Sequence, residues 1–163
     1  MKFYSMENIG AGHLSMPEQE LHTTAFWLHF PESFLARFPD MTPTERQSGL
    51  TGLVQLMRTV AALLLMCDPR DLGVAISEDI SRTTGTFEPD LFLFDNYPGG
   101  IGQSQPLFQL RAKLLEGTLQ ILQRCGCEAG CPACVGPVGE VGETGKQAAL
   151  LLLLELLGQR TNS

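Results

Sequence analysis

Apolar residues along the chain follow two patterns, short runs of strand length and longer stretches at helical spacing. Three runs have the length and composition of strands. The first covers residues 22–30, is rich in β-branched and aromatic side chains and stops at Pro31. The others cover residues 72–76 and 91–94, and the continuous apolar run of the last one is typical of a central strand.

The longest helical pattern begins where Thr42, Pro43 and Glu45 combine a capping box with proline at the first helical position. Its apolar positions recur three and four residues apart and predict one buried face. They are Leu50, Leu53, Val54, Met57, Val60, Ala61 and Leu64. The C-terminal half is apolar all round, which predicts deep burial, and Asp68 with Pro69 ends the helix.

Two further helices are predicted toward the C-terminus, separated by a loop at residues 136–142. One covers residues 104–124, and the other opens at Thr144, which stands in capping-box spacing with Gln147. Between residues 148 and 157 all positions of the last helix but one are apolar. Such a helix is either buried in the core or covers a partner, which is another domain or a second copy of the chain.

Together these elements predict an α/β or α+β fold, with a small mixed sheet of about three strands and about four helices. The length of 163 residues suits one domain, in which residues 1–20 form a lead-in segment. Hydrophobic residues make up 44% and charged residues 18%, an ordinary globular balance. No apolar run reaches the roughly 18 residues of a membrane span, so no membrane partner is expected.

Four cysteines lie within ten residues at the end of the predicted 104–124 helix, in a C-x-C-x3-C-x2-C spacing. They are Cys125, Cys127, Cys131 and Cys134. Four thiolates this close can surround one Zn²⁺, and four protein ligands close the tetrahedral shell, which is typical of a structural site. Pro132 favours a tight turn between the last two ligands. The spacing therefore predicts one structural zinc per chain.

Disulfides, free thiols and an iron–sulfur cluster are the alternatives to zinc. Cys125 and Cys127 would form a strained bridge with each other, and the total of five cysteines is odd. The sequence shows no signal peptide, which predicts a reducing, cytoplasmic location in which disulfides are rare. The spacing also differs from the bacterial ferredoxin run.

Several motifs in the same order resemble the C-terminal zinc-binding domain of MrfA-type helicases, which are superfamily 2 DNA helicases of the DEAD/DEAH-box kind. The string at residues 95–102, Asp-Asn-Tyr-Pro-Gly-Gly-Ile-Gly, precedes a helix and then the cysteine cluster with Val135. The segments at 22–28 and 66–72 also resemble the family, so the likeness covers residues 20–157. It implies that the four clustered cysteines bind zinc and that Cys67 lies outside the site.

The resemblance also implies a parent protein that uses ATP to translocate on DNA, separates strands and acts in DNA repair. The implied partners are a helicase motor domain, in cis or in trans, and DNA, in single-stranded form. No G-x-x-x-x-G-K-[ST] motif and no Asp-Glu-x-His motif occurs in this sequence. The chain alone is therefore expected to be no helicase, but a domain excised from, or accessory to, a longer one.

Two segments are candidates for contact with DNA phosphates. Gly99, Gly100 and Gly102 lie between a strand and a helix, where free N–H groups can hold a phosphate, although the favoured alternative is a tight turn that needs glycine. Arg111, Lys113 and Arg124 mark the most positive stretch; the alternative is a solvated helix face. The net charge of −7 disfavours nonspecific nucleic-acid binding, so any contact must be local.

Aspartates define a competing hypothesis, a metal-dependent nuclease that uses Asp68, Asp71, Asp90 and Asp95. The alternative is that they are ordinary loop residues, with Arg70 forming ion pairs. A pure protein-interaction module, carried by the apolar last helix, is the third possibility.

The remaining chemistry-bearing side chains favour structural roles. His13, His22 and His29 are not needed as ligands, since four sulfurs complete the zinc shell. Trp27 is interpreted as a core residue rather than a base-stacking platform, and Cys67 as a small hydrophobe.

Overall fold

The computed structural model describes residues 20–77 and 88–159; residues 1–19, with most of the predicted lead-in and His13, lie outside this range. Three strands and six α-helices are present in the described residues. In chain order they are β1 (Ala25–His29), α1 (Glu32–Leu35), α2 (Pro43–Leu65), β2 (Leu72–Ser77), β3 (Asp90–Asp95), α3 (Ser104–Gln109), α4 (Arg111–Arg124), α5 (Val138–Val141) and α6 (Gly145–Leu156). The predicted fold class is confirmed.

The sheet has the order β1-β3-β2, and both pairings are antiparallel. β3 is central, as predicted, but the sheet is antiparallel throughout rather than mixed. Leu91 and Leu93 face the helices and are fully buried, whereas Phe92 and Phe94 alternate with them and stay half-buried. The continuous apolar run therefore does not mean full burial on both faces.

Helix α2 is the centre of the fold and packs against α6, α4 and β2. The predicted capping box is present: the Thr42 hydroxyl accepts from the Glu45 amide at 3.2 Å, and the Thr42 amide donates to the Glu45 carboxylate at 2.8 Å. The helix ends at Met66 in the left-handed conformation. By length and composition α2 is apolar enough to cross a membrane, and its burial under three neighbouring elements accounts for this apolar character.

Helix α6 buries the side that faces α2, through Ala148, Ala149, Leu152 and Leu153. No residue of the 148–157 segment is exposed, so burial in the core accounts for most of its apolar pattern. Self-association through this helix stays a prediction.

Three local predictions are wrong. The predicted 104–124 helix is two helices, because Leu110 leaves the helical conformation with φ −91° and ψ 8°. Thr144 makes no capping hydrogen bond through its side chain. The predicted 136–142 loop contains α5, which, like α1, is a four-residue turn that follows a proline and is too short to give a periodic pattern.

Glycine allows α2 to approach α6 closely. A Cβ added to Gly49 would lie 2.8 Å from Ala148 Cβ and 3.0 Å from the Ala148 carbonyl carbon. Because the second contact is backbone, relief requires one helix to shift. One turn further along α2, glycine again allows a close contact: a Cβ added to Gly52 would lie 2.7 Å from Val135 Cβ.

We expect Gly49→Ala to destabilise the fold by about 1–2 kcal/mol, because overpacking outweighs the roughly 1 kcal/mol that alanine gains in helix propensity. Gly139→Ala is the matched control, since nothing lies within 4 Å of its added Cβ. Thermal denaturation should show a lower Tm for Gly49→Ala alone. An unchanged Tm would show that the two helices separate at no cost.

Candidate metal centre

The four clustered cysteines converge at the C-terminal end of α4. Cys125 caps that helix, and Cys127, Cys131 and Cys134 follow on the connecting loop. Their Sγ atoms are 3.5 Å apart in the pairs 125–127, 125–131 and 127–134 and 3.6 Å apart in the pair 131–134. All four sulfurs lie within 4.8 Å of one another.

This arrangement fits one tetrahedral zinc. A Zn–S distance of about 2.3 Å implies sulfur–sulfur distances of about 3.8 Å, close to those observed. A disulfide would need about 2.05 Å, so no pair in the cluster is bridged. The cluster is the one group of three or more Cys, His, Asp or Glu side chains that converges in this way among residues 20–77 and 88–159. Cys67 lies outside it.

Backbone geometry shapes the loop that presents the sulfurs. The amides of Cys134 and Gly136 both donate to the Cys131 carbonyl at 3.0 Å, which closes a tight turn between the last two ligands. Gly130 has φ +151°, and an added Cβ there would lie 2.9 Å from the Gly136 carbonyl oxygen. Val135, fully buried against Gly52 of α2, anchors this turn to the core.

Lys146, at the start of α6, completes the centre and was missed by the sequence analysis. Its ammonium donates to the carbonyl of Cys125 at 2.7 Å and to that of Cys127, and its amide donates to Ala129 at 3.1 Å. A cation in the first turn of a helix opposes the helix dipole, and this misplacement is the signal that could have marked it. Its charge offsets the negative charge of four thiolates around a divalent ion.

The four thiols differ in acidity. A hydrogen bond from the Cys127 backbone lowers the pKa of Cys125 to about 7, whereas burial raises the pKa of Cys134 to about 12. Burial also raises the pKa of Cys127. Because zinc binds thiolates, its binding displaces protons from the less acidic thiols.

Asp95 organises the glycine-rich loop. Its carboxylate is fully buried, and Oδ2 accepts from the amides of Ile101 and Gly102 at 2.8 Å, from Gln103 at 3.3 Å and from the Thr24 hydroxyl at 3.2 Å. These bonds tie β3 to the start of α3. Asp95 thus stabilises this loop as the shared hydrogen-bond acceptor for its backbone amides.

The amides of the three predicted phosphate-binding glycines all have partners within the chain. Gly99 donates to His22 at 2.7 Å, Gly100 to Tyr97 at 3.0 Å, and Gly102 to Asp95. A phosphate contact through these amides stays a prediction, and it would require one of these bonds to break.

Asp68, Asp71 and Asp90 have hydrogen-bonding partners of their own, and among the described residues they form no group of three or more carboxylates with Asp95. Asp68 accepts from the Arg70 amide at 2.8 Å, and Asp71 accepts from the Asp68 amide at 3.2 Å, which closes a short 3-10 turn. Asp90 lies 2.9 Å from His29. The described residues thus give no grouped carboxylates for a nuclease site.

The three predicted basic contacts divide between two surfaces. Lys113 and Arg124 line a groove of about 510 Å³ between α2 and α4, and we call this the α2/α4 groove. Arg111 points elsewhere, with its guanidinium 4.6 Å from the Phe108 ring centroid. The groove contains no carboxylate. Its other lining residues are Val60, Leu63, Leu64, Gly117, Gln120, Ile121, Cys125 and Ala133.

Two further sequence interpretations concern β1. Trp27 is 59% exposed on the outer face of the sheet, so its interpretation as a core residue is wrong. The reason is that Phe26 and Trp27 alternate across the strand, and Phe26 is the one that points into the core. His22 and His29 lie outside the metal cluster, as expected.

Comparison with protein families gives a match to the MrfA Zn-binding domain over residues 53–135, a range that includes all four cysteines. The chain is 34% identical over 136 residues to the ATP-dependent helicase YprA of Bacillus subtilis, covering 83% of this chain and 17% of that protein. It is 29% identical over 76 residues to an uncharacterized protein of Methanocaldococcus jannaschii, and the match covers 47% of this chain and 68% of that protein. The chain thus spans about a sixth of the length of the helicase.

Comparison with solved structures also finds similarity to MrfA, the helicase after which the matched domain family is named. The DUF1998 helicase MrfA bound to DNA superposes with a TM-score of 0.72 and 32% identity, covering 94% of this chain and 19% of that one. Its complex with DNA and AMPPNP gives a TM-score of 0.61 and 31% identity, covering 92% and 18%. The likeness extends over nearly the whole chain, beyond the residues of the family match.

Proposed function

The chain belongs to the MrfA Zn-binding domain family, and from this premise we propose that it is the accessory zinc-binding domain of an ATP-dependent DNA helicase, which positions a DNA strand beside the motor. The motor is supplied in cis or in trans, since this sequence contains no ATPase motif. The proposal includes cytoplasmic location, single-stranded DNA as the ligand and a role of the whole helicase in DNA repair.

The observation that carries the proposal is the position of the metal centre at one end of the α2/α4 groove. Cys125 and Ala133 line the groove, so the loop that zinc fixes also forms part of its wall. Lys113 and Arg124 lie eleven residues apart on α4, about 16 Å along the helix. Two cations at this spacing, with no carboxylate among the residues that line the groove, suit successive parts of a phosphodiester backbone.

Zinc has a structural role in this proposal. Four sulfurs leave no open coordination position, so the metal performs no chemistry. Its binding free energy is also folding free energy for the segment between α4 and α6. The segment in turn holds the end of α4, where Arg124 lies, against α2.

The proposal predicts that Lys113→Gln and Arg124→Gln each weaken binding of single-stranded DNA about two- to fivefold, the size expected for exposed charge pairs. Log affinity falls with log salt concentration, and each change should make this negative slope shallower by about 0.7, because one phosphate contact is lost. Fluorescence anisotropy of a labelled oligonucleotide, measured over a salt series with the full chain, gives both quantities.

Arg70→Gln is the charge-matched control, because this arginine is exposed and lies outside the groove. It should leave the salt slope unchanged. Equal effects of all three changes would indicate nonspecific attraction, and absence of DNA binding by the unmodified chain would reject the proposal. A stable complex with a motor domain but not with DNA would instead favour a pure protein-interaction module.

A further inference from the structure

Two large aromatic side chains, Trp27 and Phe108, line a second groove, which lies between β1 and α3. Trp27 is 59% and Phe108 57% exposed, although side chains of this size are usually buried. The groove has a volume of about 360 Å³, and we call it the β1/α3 groove. Its remaining lining residues are Ala25, Phe26, Ser104 and Gln105.

β1, which forms one wall of this groove, is an edge strand of the sheet within the described residues. The Asp95 amide donates to the Thr24 carbonyl, and the Phe30 amide donates to the Pro89 carbonyl. Hydrogen-bonded pairs alternate along an antiparallel ladder, so the backbone groups of Ala25 and Trp27 point away from β3. With Ser104 and Gln105 opposite, the groove offers hydrogen-bonding groups between its two aromatic rings.

The charge of the β1/α3 groove favours an anionic ligand. None of its six lining residues is acidic, although the chain carries a net charge of −7. Arg111 lies over the Phe108 ring at 4.6 Å and donates to the Phe108 carbonyl at 3.0 Å, which fixes a cation at the rim. Aromatic platforms next to arginine are the features that bind single-stranded nucleic acid by base stacking.

We propose that the β1/α3 groove binds a base of single-stranded DNA, stacked on Trp27, with Arg111 beside the neighbouring phosphate. This proposal rests on the proposed function and adds to it a second contact, made by stacking rather than by charge. A flat base fits a groove bounded by exposed rings, and the polar groups between the rings can bond any base edge. The α2/α4 groove has no aromatic residue in its lining and contacts only the backbone.

Trp27 is the single tryptophan of the sequence, so its fluorescence reports on this groove alone. The full chain is titrated with oligodeoxythymidylate and with an abasic oligonucleotide of the same length. We expect saturable quenching with the first, and weaker binding without quenching with the second, because the second has phosphates but no bases.

Substitutions separate stacking from folding. Trp27→Ala should weaken binding roughly 5- to 100-fold with an unchanged salt slope, and Trp27→Phe should retain most of the affinity, since a ring remains. Met66→Ala is the control, because Met66 is 92% exposed and lines neither groove; it should change nothing. Zinc content and circular dichroism check that each variant is folded.

The outcomes distinguish the two proposals. DNA binding without quenching, and with equal affinity for the abasic strand, would overturn stacking while leaving the proposed function in place. If the unmodified chain does not bind DNA at all, both the stacking proposal and the proposed function are wrong. If Trp27→Ala weakens binding to a helicase motor domain and not to DNA, the β1/α3 groove is a protein-docking surface and the stacking proposal is wrong.

Discussion

Cys134→Ser is expected to abolish stoichiometric zinc and to destabilise the fold by more than about 5 kcal/mol. Zinc contributes roughly 10–16 kcal/mol of apparent binding free energy at structural sites in small peptides, and three remaining sulfurs retain only part of it. Cys134 is 4% exposed, and its neighbour Val135 packs on α2, so the loss extends beyond the loop. Elemental analysis and chemical denaturation measure the two effects.

Cys67→Ser provides the matched control, because it makes the same chemical change at a cysteine outside the cluster. It should retain one zinc per chain. A strong chelator should reproduce the effect of Cys134→Ser on the unmodified chain, and restored zinc should reverse it. One zinc per chain in Cys134→Ser, at unchanged stability, would show that the four sulfurs do not form the metal site.

Asp95→Ala is expected to cost about 2–4 kcal/mol, because it leaves the amides of residues 101–103 without their shared acceptor. For a chain of this length that is a fall in Tm of about 4–16 °C. Asp40→Ala, at an exposed aspartate, should change stability by less than about 0.5 kcal/mol. The stability loss of Asp95→Asn should lie between those of Asp95→Ala and Asp40→Ala, since the asparagine amide oxygen still accepts hydrogen bonds but carries no charge.

The same position tests the nuclease hypothesis. The purified chain, incubated with Mg²⁺ or Mn²⁺ and labelled DNA, should cleave nothing, because the Asp95 carboxylate is buried in backbone contacts and belongs to no group of three or more ligating carboxylates among the described residues. Cleavage by the unmodified chain that disappears in Asp95→Asn would revive the nuclease and remove the purely structural role.

Features that depend on neighbours in sequence could be predicted from the sequence. The metal centre is one, since ten residues contain all four sulfurs and their spacing alone brings them together. The start of α2 is another, because Thr42 and Glu45 bond each other across three residues. The short helices α1 and α5 escaped prediction because four residues give no periodic pattern.

Features that depend on distant contacts required the tertiary structure. Composition predicted the strand β1, but not which of its side chains face the core and that Trp27 is left exposed. Likewise Arg111, Lys113 and Arg124 form one basic stretch in the sequence, yet the break at Leu110 and the packing of α4 on α2 place Arg111 on a different surface.

At the metal centre, the place of Lys146 in the first turn of α6 marks it as unusual in the sequence, but only the tertiary structure shows that its ammonium reaches the carbonyls of Cys125 and Cys127. The sequence by itself thus determined the four-cysteine cluster, the family and the principal helices and strands. The tertiary structure decided which side chains share a surface, since that depends on how helices and strands far apart in the chain pack together.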